Sequence, residues 1–412
     1  MKKILLAVAL GIFSFGSAQR TCGTPDKMNK LYETNLEAKK NRNNLYNFLK
    51  TKNNRQSKFA SSGVVTVPVV VHVLYSNDEM NISKEQILSQ LKVLNDDFRK
   101  LNADFNTNVP DAFKGVAADM ELTFHLATKT PTGQPTEGIV RKEVSPEFDF
   151  DNDYCESNGS DAWDPDRYLN IWVGNISEDY LGWAYMPDHA GEYYDGLAIG
   201  YKYFGTTGTV VAPFNLGRTA THEIGHYFGL HHIWGENEPT SASSSNCGKK
   251  GWSDFCDDTP ATYYYYFDTP SFPNTRYVCD KSNPNGAMFM NYMDYVDDKV
   301  MGLFTNDQKT IVRNAIDTYR PNLTHSLGVA DLAKFEAISV YPNPTAEYIS
   351  IRSPKQQIDE IEIFGNEGRL IKRIILKNLS DKIDVKTLST GTYYIRTYEK
   401  GNFVKSLKFI KK

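Results

Sequence analysis

The chain is poor in histidine and cysteine, with eight and five among 412 residues. Beyond its first residues it has no run of the ~18 apolar residues that a membrane helix needs. No transmembrane segment is therefore expected in the mature protein. Charge of one sign is also scarce. The formal net charge of -4 gives no reason to expect nucleic acid or an anionic membrane as a partner. Hydrophobic residues make up 40% and aromatics 13% of the chain, enough for packed cores. The length suggests about two or three domains.

Met1-Lys2-Lys3 is basic, Ile4 to Phe15 is apolar but too short and too early to span a bilayer, and Gly16-Ser17-Ala18 is small. This order reads as a signal peptide over 1–18, cleaved after Ala18, and so as export. Export permits disulfides. The cysteines are Cys22, Cys155, Cys247, Cys256 and Cys279, and the odd count leaves at least one without an internal partner.

Residues 19–61 are polar and rich in Lys and Asn, with a helix expected over Met28 to Leu49. Thr51 to Ser62 (TKNNRQSKFASS) reads as an exposed linker open to proteolysis. Together they suggest a pro-segment with an activation linker. Val64 to Tyr75 is a β-branched apolar run, expected as a strand buried on both faces. Asn81-Ile82-Ser83 caps a helix expected from Lys84 to Leu101. Strands are expected at Met120–Ala127, Tyr168–Val173 and Gly196–Tyr201, and a helix at Asn306–Tyr319. Strands mixed with long helices imply an α/β (α+β) domain over 62–323.

After a linker over 324–338, residues 339–412 change character. Short alternating segments such as YISIRS, IEIFGNEG and GTYYIRTYE are punctuated by turns, as in a small all-β sandwich. Ser339 to Lys412 carries 14 Lys and Arg against 8 Asp and Glu, so this unit is basic and the rest of the chain acidic.

Half of the scarce histidine falls in TATHEIGHYFGLHHIW, Thr219 to Trp234. On a helix, His222 and His226 share one face a turn apart. Two such imidazoles can hold one Zn²⁺ ion. Glu223 can reach a water at that ion without binding the metal, as a general base requires. Gly229 permits the left-handed backbone that stops the helix, so that His232 can return as a third ligand. The fourth position then stays open, as in catalytic zinc sites. His231 points away from its neighbour and reads as structural or surface. His72 and His125 lie in strand patterns and read as satisfied core histidines.

HEIGHYFGLHH followed by NYMDY (Asn291 to Tyr295) resembles the metzincin metalloproteases. DDTP at Asp257 to Pro260 is similar, more narrowly, to the pappalysin family and its ulilysin and mirolysin branch. The resemblance implies a metzincin-like zincin domain over about 62–323. His222, His226 and His232 would bind the catalytic zinc and Glu223 would be the base. Met293 would sit in the Met-turn beneath the metal, and Tyr295 would stabilise the tetrahedral intermediate. Cys22, ahead of the linker, resembles the cysteine switch of latent zymogens, with its thiolate on the zinc; a disulfide-paired or simply free cysteine is the other reading. The remaining four cysteines allow three pairings. The resemblance favours Cys247 with Cys279, leaving Cys155 with Cys256. It also suggests that Asp297 or Asp298 selects Arg or Lys after the scissile bond, two solvated acids being the alternative. A structural Ca²⁺ would be held by Asp254, Asp257, Asp258 and Thr259, although Ala261-Thr262 departs from the pattern.

The last ~75 residues, from Val340-Tyr341-Pro342-Asn343-Pro344, resemble the type A sorting domain of type IX secretion. The partners implied are protein or peptide substrates and that secretion machinery. An Ig-like adhesion or carbohydrate-binding module is the alternative for the tail. For the whole chain, the alternative to an endopeptidase is an inactive binding protein on a protease scaffold. An intact Glu223 and three ligands argue against it.

Overall fold

The computed structural model describes residues 21–51, 63–323 and 338–412, apart from 354–357, 367–368, 377, 379–380 and 400–401. The expected signal peptide and nearly all of both linkers lie outside the described residues.

The pro-segment forms two helices, α1 (Thr24–Thr34) and α2 (Leu36–Lys50), where one was expected. Asn35 breaks the run. Its backbone is extended, and its side chain accepts from Glu37 N and Ala38 N (2.9 and 3.2 Å), a helix N-cap. Met28, Tyr32, Leu45, Phe48 and Leu49 are buried, so the hairpin is docked on the domain below it.

The expected two-sided strand is β1 (Val65–Tyr75), fully covered from Val69 to Leu74. Parallel neighbours explain its apolar sequence. β2 (Leu122–Leu126) pairs with Val65–Val69, β3 (Ile139–Glu143) takes over along Val71–Tyr75, and β4 (Leu169–Gly174) lies on the other side. β6 (Leu197–Gly200) follows β4 in parallel, and β5 (Gly182–Ala184) closes the sheet antiparallel to β6. Neither β3 nor β5 was expected. β3 is largely exposed and carries Arg141, Lys142 and Glu143, while β5 is only three residues long.

α3 (Lys84–Asp97) starts where Ser83 accepts from Gln86 N (3.1 Å). It ends before the expected Leu101, since Lys100 has a left-handed φ of 52°. α4 (Arg218–Tyr227) and α5 (Asn306–Tyr319) complete the helices that matter here.

His72 is a core histidine as expected, bonded to Ser160 Oγ (2.8 Å) and Asn170 Oδ1 (3.0 Å) and stacked on Trp172. Burial holds its pKa down to about 4. His125 corrects the expectation. It lies on the outer face of β2, exposed.

Cys247 and Cys279 are disulfide-bonded. The pairing of Cys155 with Cys256 is not formed. Cys155 follows Tyr154, which packs on Trp172 and Trp183. Cys256 lies in the acidic loop, where its thiol donates to Asp254 O (3.6 Å). Each sulfur sits in its own neighbourhood.

The tail holds two antiparallel sheets. One contains β7 (Ser339–Tyr341), β8 (Tyr348–Arg352) and β11 (Ile383–Asp384). The other contains β9 (Glu360–Gly365), β10 (Leu370–Ile375), β12 (Gly391–Glu399) and β13 (Asn402–Lys411). Ile349, Ile351, Ile361, Ile363, Ile395 and Phe409 form the core between them.

Candidate metal centre and catalytic site

α4 carries His222, Glu223 and His226, all buried. The helix stops at Phe228, and Gly229 has a φ of 95°, the left-handed turn expected of it. The chain then returns His232 to the same point. Among the described residues, Cys22, His222, His226 and His232 form the only group of three or more His, Cys, Asp or Glu with ligand atoms within 4.8 Å of one another.

The imidazoles fit a metal. His222 Nδ1 donates to Tyr292 O and His226 Nδ1 to Leu230 O, both at 2.7 Å. A carbonyl only accepts, so both protons sit on Nδ1 and each Nε2 presents a lone pair. His226 Nε2 faces His222 Nε2 at 3.2 Å and His232 Nε2 at 3.1 Å. Lone pairs this close repel unless a cation lies between them. Nitrogens on one tetrahedral zinc at about 2.0–2.1 Å would sit roughly 3.3–3.4 Å apart. Burial lowers the His226 pKa to about 3 and that of His232 well below the usual value, so both rings are neutral ligands.

Met293 lies fully buried beneath α4. A Cβ on Gly225 would stand 2.4 Å from Met293 Sδ, so the helix and the Met-turn meet only because residue 225 has no side chain. Gly225→Ala should therefore force Met293 aside and cost about 1–3 kcal/mol, to be read from urea unfolding of the full chain.

The pro-segment enters along β5. Gly23 N donates to Gly182 O (2.8 Å) and Leu181 N to Thr21 O (3.0 Å), a parallel bridge on the sheet's edge. Cys22 Sγ is thereby placed among the histidines and 3.4 Å from Glu223 Oε2. Burial, then the Glu223 charge, raise the thiol pKa well above its usual value. Thr24 was not singled out by the sequence. Its hydroxyl lies 3.1 Å from Glu223 Oε2 and accepts from Ala184 N (2.9 Å). No pattern in the sequence marks it, because it opens α1 directly after Gly23.

Tyr295 packs against His232, with ring centroids 4.9 Å apart, and its hydroxyl donates to Glu238 (2.9 Å). Trp234 stacks on His232 at 4.4 Å, and Tyr265 lies 5.3 Å from both Trp234 and Tyr295. The tyrosine run from Tyr263 to Tyr266 thus places an aromatic wall beside Tyr295. His231 is buried and faces Phe255, a structural position.

The two candidate pocket acids differ. Asp298 Oδ2 accepts from Leu216 N (2.8 Å) and Arg218 N (3.3 Å) and so braces the first turn of α4. Asp297 faces Lys299 Nζ at 3.6 Å. Behind α4, Asp97 accepts from the hydroxyls of Thr221 and Tyr292, both at 2.8 Å, tying α3 to α4 and to the segment that carries Met293. Burial raises its pKa to about 6 against the opposing pull of Arg218.

The residues expected to hold calcium are engaged in hydrogen bonds. Thr259 donates to Asp254 (2.6 Å), whereas Asp257 N and Asp258 Oδ2 bond across to Asp307 (2.7 and 2.9 Å) at the start of α5.

Residues 153–317 match the peptidase family described as Pregnancy-associated plasma protein-A, and residues 339–412 match the Secretion system C-terminal sorting domain. An extracellular metalloprotease of Verticillium alfalfae is 30% identical over 64% of this chain and 81% of its own length. One from Neurospora crassa is 33% identical over 37% of this chain, and the match spans 50% of that relative. A promirolysin mutant of Tannerella forsythia is 37% identical with a TM-score of 0.64, over 74% of this chain and 100% of that one. Mature mirolysin from the same organism, in complex with a cleaved peptide, is 40% identical with a TM-score of 0.56, over 64% and 99%.

Fold and site together are those of a metzincin-type metalloprotease. Within that class the chain belongs to the pappalysin family. Membership implies a catalytic zinc, and the three-histidine cluster could hold it. The tail match implies type IX export, and no helix among the described residues is long and apolar enough to cross a membrane.

Proposed function

We propose that the chain is a secreted zinc endopeptidase made in latent form, with His222, His226 and His232 as ligands and Glu223 as general base. The observation that carries this is the buried His226 Nε2 facing His222 Nε2 at 3.2 Å and His232 Nε2 at 3.1 Å, with Glu223 next to the first ligand on α4. When bound, zinc polarises the scissile carbonyl and lowers the pKa of a water towards ~7. Glu223 takes that proton and returns it to the leaving amine. The Tyr295 hydroxyl, released from Glu238, donates to the developing oxyanion. The substrate backbone pairs with the edge of β5 that Thr21 to Gly23 cover in the latent form. Residues 19–61 act as the pro-segment, 62–323 as the catalytic domain and 339–412 as the sorting domain.

A preference for Arg or Lys after the cut belongs to the same proposal. It rests on Asp297 or Asp298 and on the family likeness. The activated protein, given a proteome-derived peptide library with and without a chelator, should cleave only without it. Cleavage indifferent to the chelator, or none at all, would sink the proposal. Cut sites with no basic bias would remove the preference alone.

A further inference from the structure

Glu238 lies in the loop after the third histidine, and nothing in the sequence marked it. Its side chain is 33% exposed, yet Oε1 reaches two groups of the buried site. It accepts from the Tyr295 hydroxyl at 2.9 Å and lies 3.3 Å from His232 Nδ1. The comparison with the other ligands gives this its meaning. His222 and His226 each place an Nδ1 proton on a main-chain carbonyl and so aim Nε2 at the centre. His232 Nδ1 instead faces a carboxylate oxygen at 3.3 Å, an ion-pair distance longer than those two hydrogen bonds. The loop is pinned where it must be, since Glu236 N and Asn237 N both donate to Gly251 O (3.0 and 3.1 Å).

We infer that Glu238 is a positioning residue with two tasks: it fixes the tautomer and aim of His232, and it parks the Tyr295 hydroxyl until substrate arrives. The inference rests on the zinc reading above. A carboxylate partner also makes the imidazole a stronger donor to a metal, and loss of such a partner typically weakens metal binding 10- to 100-fold. Because both tasks fall on one oxygen, the departure of Tyr295 towards substrate leaves that oxygen to His232 alone. Metal grip and oxyanion donor are thereby coupled.

The test uses the activated full-length protein, its Glu238→Gln and Glu238→Ala variants, and both exchanges again in a Tyr295→Phe background. Zinc retention against a graded chelator should fall in the order wild type, Gln, Ala, with Ala ~10- to 100-fold weaker. Gln keeps an accepting oxygen but loses the charge, so it recovers part of the loss. In the Tyr295→Phe background the zinc effect should persist while any effect on kcat disappears. A flat zinc series overturns the inference. So does Gln indistinguishable from wild type, should the Ala variant fail to fold. A zinc effect that vanishes with Tyr295→Phe overturns the His232 task. Wild-type protein that takes up no zinc would overturn the reading of the centre itself, a result separable from flat variants of a zinc-binding parent.

Discussion

Glu223→Gln is expected to silence the activated enzyme while leaving its zinc in place. Glu223 is 1% exposed and follows the first ligand on α4, so a glutamine of the same shape should be held by the same packing. The amide cannot take a proton from water. General-base assistance contributes roughly 10²- to 10⁴-fold, and kcat should fall by at least that range. KM should change far less, because the β5 edge proposed to bind substrate backbone is untouched. Metal analysis of the variant should match wild type, since all three Nε2 atoms remain where they are. A kcat within tenfold of wild type, at full zinc content, would take the base away from Glu223. The same exchange in the precursor has a second use. Cys22 and Thr24 both reach Glu223 Oε2, at 3.4 and 3.1 Å, so a neutral side chain should loosen the pro-segment at this point.

The parts of the centre that are local in sequence were the legible ones. His222, Glu223, His226, Gly229 and His232 lie within one helix and its stop, where residue spacing fixes relative position. Met293 and Tyr295 needed the family likeness, because the contact of Gly225 with Met293 joins segments that spacing cannot relate. Asp97 and Glu238 were missed for the same reason: Thr221 and Tyr292 reach Asp97 from 124 and 195 residues away, and Tyr295 reaches Glu238 from 57. The bonds from Asp298 to main-chain N–H groups at the start of α4 were equally illegible, since they join positions about 80 residues apart. For the fold, β1 was readable from composition, while β5 was not. A three-residue strand carries too little alternation to register, although it forms the edge on which latency turns.

Cys22→Ala is expected to make the uncut full-length chain prematurely active. The sulfur is the one pro-segment atom in the ligand group, and alanine would leave a methyl that can neither bind metal nor bond to Glu223. A hydrogen bond to a charged group is worth about 1.5–3 kcal/mol, which corresponds to a ~10- to 100-fold rise in the open fraction. Activity of the precursor should rise by at least that much, assayed while gels still show an intact chain. Full release should need more. The hairpin also holds through Tyr32 Oη to Asp188 (2.8 Å) and through the ion pair of Arg42 with Glu236 (2.7 Å). Thr24 still restrains Glu223, so Cys22→Ala combined with Thr24→Val should exceed the single exchange. Burial raises the Asp188 pKa to about 7, with Tyr32 opposing that rise as a donor to the carboxylate. A Cys22→Ala precursor as latent as the parent would move the block from the thiol to this docked hairpin, and a Tyr32→Phe precursor would then be the one to show activity.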